Sequence, residues 1–264
     1  MSSDFLQKII AEKRDEVELR RRKTPDSILR ELASKCASQR GFGDALRKGQ
    51  SISIIAEMKK ASPSGGMIRE DYDVRKIAQS YAANGASAFS ILTDEKYFHG
   101  NLEHLQSVSR LNLRPVLRKD FMVDSYQILE TRAFGADAIL LIVAALSKDE
   151  LSSLKSTSDE FGMDSLIEVH SEAELETALQ VGAQLIGINN RNLKTLKTSL
   201  DITEQLAPLI PRDRIIVSES GISSKADITR LSSSGIHAVL VGGHLMRHQD
   251  PGQALAELTG VPKQ

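Results

Sequence analysis

Five stretches of this chain end an apolar run in residues able to hold or move a proton. "IIAEMKK" carries Glu57 and Lys59, "PVLRKDF" carries Lys119, "DSLIEVH" carries Glu168, "IGINN" carries Asn189, and "RIIVSES" carries Glu219 followed by Ser220. Three acids and two lysines gathered in one place are the ingredients of general acid and base catalysis, because burial and neighbouring charge shift their proton affinities. The same groups also make structural ion pairs, such as Lys59 with Glu57 or Lys119 with Glu219, and such networks perturb pKa values too. Convergence from five strands favours chemistry, provided the fold brings the stretches together.

A repeat indicates how it does so. "NGASAFSIL", "FGADAILLI", "VGAQLIGI" and "SGIHAVLVG" each place a glycine (Gly85, Gly135, Gly182 and Gly235) between a helical stretch and an apolar strand. Glycine just past a helix end adopts the left-handed conformation without strain. A spacing of roughly 50 residues is too long for one βα unit and right for two. The missing strands are "ISIIAEMKK", "PVLRKDF", "DSLIEVH" and "RIIVSES", and helical stripes such as Val74, Ile77, Ala78, Tyr81 and Ala82 fill the gaps. Eight strands alternating with about eight helices imply a parallel sheet covered by helices. A doubly wound open sheet gives the same alternation, but units of such regular length favour closure. The expected fold is α/β, a (βα)8 TIM barrel forming one domain over 1–264 with a helical extension over 1–50. Within that extension, helical patterns run from Asp4 to about Arg22 and from Pro25 to about Gln39. The extension either plugs the barrel bottom or covers its active face.

Barrels of this kind keep their chemistry at the C-terminal ends of the strands. Strand alternation puts Ile55, Glu57 and Lys59 on one face, and likewise Leu117, Lys119 and Phe121; Leu166, Glu168 and His170; Gly187 and Asn189; Val217 and Glu219. The charged residues keep register with apolar ones that point inward, so they converge on the barrel mouth. Strands 7 and 8 end in "SESGIS" and "VGGHLMR", where Gly221, Gly242 and Gly243 let backbone N–H groups approach an anion ahead of a short helix near His244. This is the usual phosphate position, and Lys59 supplies a formal positive charge. Cys36 reads as a packing residue, His170 as a cap or rim residue, and "LRRRK" as a solvated helix face. Phe98, Phe121 and Leu140 read as core or as pocket walls.

Composition narrows the partners. The 264 residues include 34 Lys and Arg against 35 Asp and Glu, a formal charge of -1, so no global field favours nucleic acid or an anionic membrane. The single Cys36 excludes an internal disulfide, and no cysteine and histidine spacing suggests a metal. The N-terminal stretch lacks the apolar core of a signal peptide, and no run is long and apolar enough to span a bilayer. A cytoplasmic protein is expected.

The motifs "IAEMKKASPSGG", "LTDEKYFHGN", "LRKDF", "LIEVHSEAELE", "IGINNRNLKT" and "VSESGIS" stand in the order and spacing of the indole-3-glycerol phosphate synthases, and the chain resembles that family over nearly its whole length. The resemblance implies ring closure, decarboxylation and dehydration of 1-(o-carboxyphenylamino)-1-deoxyribulose 5-phosphate, with no metal or organic cofactor. It implies Lys119 as the general acid at the ketone oxygen and Glu168 as the acid/base for dehydration. Glu57 and Asn189 would orient the substrate, supported by Glu219 and Ser220, and Lys59 would contact its carboxylate or phosphate. Ser62, Lys59, Gly221, Gly242 and Gly243 would hold phosphate, with Arg191 near strand 6, while Phe98, Phe121, Leu140, Leu193 and Leu240 would wall the aromatic ring. The extension is implied to cover the active face. The implied partner is a small sugar phosphate, with no nucleic acid or membrane, and the expected state is a monomer or weak homo-oligomer. Two departures stand out: Gly243 replaces the family's serine or glutamate, and Gly65 replaces its lysine or alanine. For Lys119 to act as the acid, lysine charge and burial are expected to lower its pKa. A Schiff-base aldolase using Lys119 or Lys59, and a non-catalytic phosphate-ligand sensor, are the alternatives.

Overall fold

The computed structural model describes residues 3–63, 65–192, 195 and 197–264. Its strands are β1 (Ser53–Met58), β2 (Ala88–Leu92), β3 (Val116–Lys119), β4 (Ala138–Ile142), β5 (Asp164–Val169), β6 (Leu185–Asn189), β7 (Ile215–Glu219) and β8 (Ala238–Val241). Each pairs in parallel with the next, and β8 returns to β1 with Ile54 opposite Val239, so the sheet closes. Strand residues alternate between two apolar layers. Ile54, Ala56, Phe89, Ile139 and Ile186 pack outward under the helices, while Ile55, Ala88, Leu117, Leu166 and Val217 fill the interior. Near-continuous apolar strands follow from burial on both faces.

The outer helices begin and end as their sequences dictate. In α4 (Val74–Ala83), the Asp73 carboxylate accepts the N–H groups of Arg75 and Lys76, and Val74, Ile77, Ala78 and Tyr81 form the buried stripe. The chain then turns at Gly85, whose φ is +98°, and Gly135, Gly182 and Gly235 are likewise left-handed.

The first fifty residues serve both ends of the barrel. Helix α1 (Ser3–Lys23) packs Leu6, Ile10 and Val17 against α2 (Asp26–Ser34) and α7 (Ser125–Ala133). It reaches the active face through Lys13, whose Nζ lies 2.8 Å from Asp94 and 3.1 Å from Asp120. Helix α2 stops short of the expected Gln39, because Gln39 donates to the Phe161 carbonyl and Arg40 turns onto the Asp137 carboxylate at 2.8 Å. A third helix, α3 (Phe42–Arg47), was not expected. Its Phe42 and Leu46 are wholly buried and plug the barrel bottom, and the Gly43 N–H donates to Asp164 at 2.9 Å.

Candidate active site

The C-terminal strand ends enclose a cavity of ≈ 480 Å³. Every candidate residue named above lines it except Leu193, which lies outside the described residues. The period of two along each strand thus brings together Glu57, Lys59, Lys119, Glu168, Asn189 and Glu219. Lys60, next in sequence to Lys59, does not line the cavity.

Both ion pairs of the structural reading are present, and both lie in this cavity. Lys59 Nζ donates to Glu57 Oε1 at 2.6 Å. Lys119 Nζ donates to Glu219 Oε2 in a short contact and lies 3.4 Å from Glu168 Oε2. Burial by itself favours a neutral Lys119, but Glu219, Glu168 and Glu57 outweigh it and hold the ammonium above the ordinary lysine value. The expectation of a lowered Lys119 pKa is therefore corrected: three carboxylates face this lysine, and the nearby positive charge of Lys59 is paired with Glu57.

The two acids on Lys119 differ. Burial pushes Glu168 up, but Lys119, His170 and Asn189 together hold it well below its ordinary value. Burial also pushes Glu219 up, and with the repulsion of Glu168 and Glu57 it outweighs Lys119, so Glu219 rises to about 7. His170, expected as a cap or rim residue, stands just before α9 (Glu172–Gln180) and also reaches inward. Its Nε2 lies 3.3 Å from Glu168 Oε1 and its Nδ1 lies 3.0 Å from Glu174 Oε2. Burial disfavours its charge, but these two carboxylates push it up to about 10. The signal in the sequence was its place two residues beyond Glu168 on the same strand face.

Two glycines make room for carboxylates. A Cβ on Gly242 would sit 2.2 Å from Glu57 Oε1, and one on Gly187 would sit 2.3 Å from Glu219 Oε1. Beyond β7, Ser220 takes φ +69° and Gly221 φ +80°, an arrangement uncommon for a non-glycine residue. Asn190, which the sequence reading did not single out, supports it. Its fully buried amide donates to Ser218 Oγ at 2.9 Å and to the Ser220 carbonyl at 3.0 Å.

The cavity has a polar and an apolar end. Ser62, Lys59, Ser220, Gly221, Gly242 and Gly243 line the first, and the expected short helix is present as α12 (Gly243–Arg247). Arg247 and His248 line it as well and were missed, since nothing in a short surface helix marks which side chains face a cavity. Ser62 belongs to a small antiparallel hairpin, Ala61–Ser62 with Gly66–Met67. At the apolar end, Phe98 and Phe121 stand 6.3 Å apart between ring centroids, with Leu140 and Leu240 beside them. Leu6 of α1 also reaches the cavity, a role legible only once the extension was placed. Among the described residues, no cluster of three or more His, Cys, Asp or Glu is placed to hold a metal. The arrangement brings together a charged lysine, two acids of unlike affinity, an apolar wall and a rim of serine and glycine residues with Lys59.

Residues 6–258 match the family model described as indole-3-glycerol phosphate synthase. The chain is 48% identical over 262 residues to the indole-3-glycerol phosphate synthase of Polaromonas sp. (strain JS666 / ATCC BAA-500), covering 98% of this chain and 99% of that one. It is 46% identical over 254 residues to that of Alkaliphilus metalliredigens (strain QYMF), covering 96% and 97%. Among solved structures, 3-hexulose-6-phosphate synthase from Salmonella typhimurium superposes with a TM-score of 0.63 at 12% identity, covering 78% of this chain and 96% of that one. Thiamine phosphate pyrophosphorylase from Pyrococcus furiosus superposes at 0.61 with 15% identity, covering 78% and 93%. At such identities the likeness concerns the barrel fold alone.

Proposed function

The chain belongs to the indole-3-glycerol phosphate synthase family, and from that membership we propose how its own residues carry the reaction. The enzyme is a decarboxylating lyase of tryptophan biosynthesis, converting 1-(o-carboxyphenylamino)-1-deoxyribulose 5-phosphate to indole-3-glycerol phosphate with loss of CO2 and water. The supporting observation is Lys119, held charged at the cavity floor between two acids of unlike proton affinity.

Lys119 protonates the ketone oxygen as the aromatic ring attacks the carbonyl carbon. The carboxylates that keep Lys119 charged also make it a weaker acid, so it gives up its proton only as the carbonyl oxygen gains negative charge during attack; the same charge opposes the neutral amine that a Schiff-base mechanism requires. Decarboxylation restores the aromatic ring. Glu168, held ionised, then serves as the base for dehydration. Glu57 and Asn189 orient the substrate hydroxyls with Ser220 and Glu219 in support, and Lys59 contacts the carboxylate or phosphate. The phosphate rests on Ser62, Lys59, Gly221, Gly242 and Gly243, with Arg191 holding the substrate beside β6. The aromatic ring lies among Phe98, Phe121, Leu140 and Leu240. One chain supplies all of these residues, so the site is complete without a partner subunit.

The test is turnover of the carboxyphenylamino substrate by Lys119→Ala, followed by the fluorescence of the indole product. Nearly complete loss with an unchanged circular dichroism spectrum is expected; near-normal turnover would sink the assignment.

A further inference from the structure

The reaction leaves a proton to be supplied. The substrate carboxylate departs as neutral CO2 and its bonding electrons enter the ring, so each turnover takes up a proton from water. Lys119 gives one proton to the ketone oxygen, the hydroxyl so formed needs another to leave as water, and the base recovers one from carbon. The lysine must therefore be recharged or replaced as the acid.

Two carboxylates touch Lys119, and their surroundings are unlike. Glu168 has Lys119 on Oε2 and His170 Nε2 at 3.3 Å from Oε1, with Glu174 bracing the far ring nitrogen at 3.0 Å. Glu219 has Lys119 on Oε2, while its Oε1 is buried without a hydrogen-bond partner among the described residues and packs over Gly187. The charged groups facing Glu219 are Lys119 from β3, Glu168 from β5 and Glu57 from β1, the last paired with Lys59. The adjacent strands β6 and β8 present Gly187, Asn189 and Leu240, which carry no charge. A buried carboxylate with one orphaned oxygen and two like charges before it is the easier of the two to protonate.

We propose that Glu219 stores the proton that reloads Lys119, while His170, braced by Glu174, keeps Glu168 ionised as the base. This rests on the reading of Lys119 as the acid. Once Lys119 has protonated the ketone oxygen, its neutral amine can accept from the acid; the Glu219 carboxyl turns its O–H toward Nζ, that O–H bond breaks and an N–H bond forms on the lysine. The ammonium then protonates the departing hydroxyl as its C–O bond breaks, while Glu168 takes the proton lost from carbon. After product leaves, that proton passes from Glu168 Oε2 to the neutral lysine 3.4 Å away and the Glu219 carboxylate regains one from water, so each turnover takes up one proton. One lysine thereby acts as acid twice. The rise of Glu219 to about 7 agrees, since it leaves the acid substantially protonated at neutral pH.

Single-turnover experiments with excess enzyme, following CO2 release and indole fluorescence separately, test this. In Glu219→Gln, CO2 release is expected within about tenfold of the wild-type rate while indole formation falls about a hundredfold. A species with the mass of product plus water should accumulate. Equal loss of both signals, or loss of neither, overturns the store. Lys119→Ala run alongside separates the two readings: if it retains CO2 release, the acid assignment fails first. Should Glu219→Gln not fold, the wild-type pH profile decides. Dehydration is expected to slow as pH rises through about 7 while CO2 release does not follow, and matching profiles overturn the proposal. His170→Asn is the positioning test, with a changed pH dependence of kcat and KM within about twofold expected; a rise in KM alone would overturn that part.

Discussion

Two lysines stand at the mouth of the barrel, Lys13 buried among three carboxylates and Lys119 half-buried against two, and the donors supplied to those carboxylates differ. Around Lys13, which is 2% exposed, Asp94, Asp120 and Glu16 approach within 3.1 Å. Each oxygen of Asp120 also takes another donor: the Phe121 N–H at 2.9 Å on one, and Thr93 at 2.6 Å and Arg118 at 3.0 Å on the other. Burial raises the Asp120 pKa, but Lys13 and Arg118 overcome it and hold it below the carboxylate range. Around Lys119, one oxygen of Glu219 meets no donor among the described residues, and burial with the repulsion of Glu168 and Glu57 raises the acid instead. The residue types are nearly the same. The supply of donors to Asp120 and to Glu219 separates a carboxylate held ionised beside its lysine from one able to take up a proton.

Removing each lysine in turn should have the largest effects. Lys119→Ala is expected to lower kcat by about a thousandfold, within the range of a lost general acid, with the urea midpoint little changed. Lys13→Met should do the reverse. It removes the cation beside Asp94 and one of the two beside Asp120, whose Arg118 partner remains at 3.0 Å, and should lose about 3 kcal/mol in urea unfolding, with a much smaller effect on turnover per folded molecule. If both substitutions act mainly on stability, the distinction fails.

Glu168→Gln comes next, with kcat expected to fall about a hundredfold and KM nearly constant. Weakened binding at unchanged kcat would instead mark Glu168 as a binding group. The pH dependence of stability sharpens the contrast, because the two acids contribute with opposite sign. Asp120, depressed in the folded state, stabilises above its unfolded pKa of about 3.9, and that contribution disappears as pH falls below it. Glu219, raised from 4.5 to about 7, binds its proton more tightly when folded, so its contribution is present at low pH and is lost as pH rises through that window. Urea midpoints measured from pH 3 to 8 should show Asp120→Asn flattening the acid limb and Glu219→Gln flattening the neutral one.

The smallest effect is expected at Gly243. A Cβ there meets only Arg247 Nη1, at 3.5 Å, so Gly243→Ser is sterically open. Stability should stay within about 0.5 kcal/mol, as for an ordinary surface change. KM should fall about twofold to fivefold if the new hydroxyl reaches the phosphate, as one modest hydrogen bond allows. A higher KM would show that backbone N–H groups alone suit the site better.

Much of this was legible in the chain itself. The glycine repeat counted the strands, and strand alternation placed Glu57, Lys119, Glu168 and Glu219 inward, because a period of two leaves little freedom once one face is apolar. The amphipathic extension was less legible: its stripes show that it packs but not against what. Six residues from Phe42 to Arg47 are too few for a helical period to show, so α3 emerged only as the plug that Phe42 and Leu46 make in the barrel bottom.

The barrel, its mouth and the groups gathered there can be read from the chain alone, since they follow from local periodicity and from where strands end. Their protonation depends on contacts made across the closed sheet. Glu168 and Glu219 are alike as strand-ending glutamates, yet one meets His170 and Asn189 while the other lies over Gly187 with an oxygen unpaired. Lys119 likewise stays charged, against the sequence expectation, because three strands aim carboxylates at it. Electrostatic energies depend on distances of a few ångströms between residues far apart in the chain, and those distances exist only after the sheet has closed.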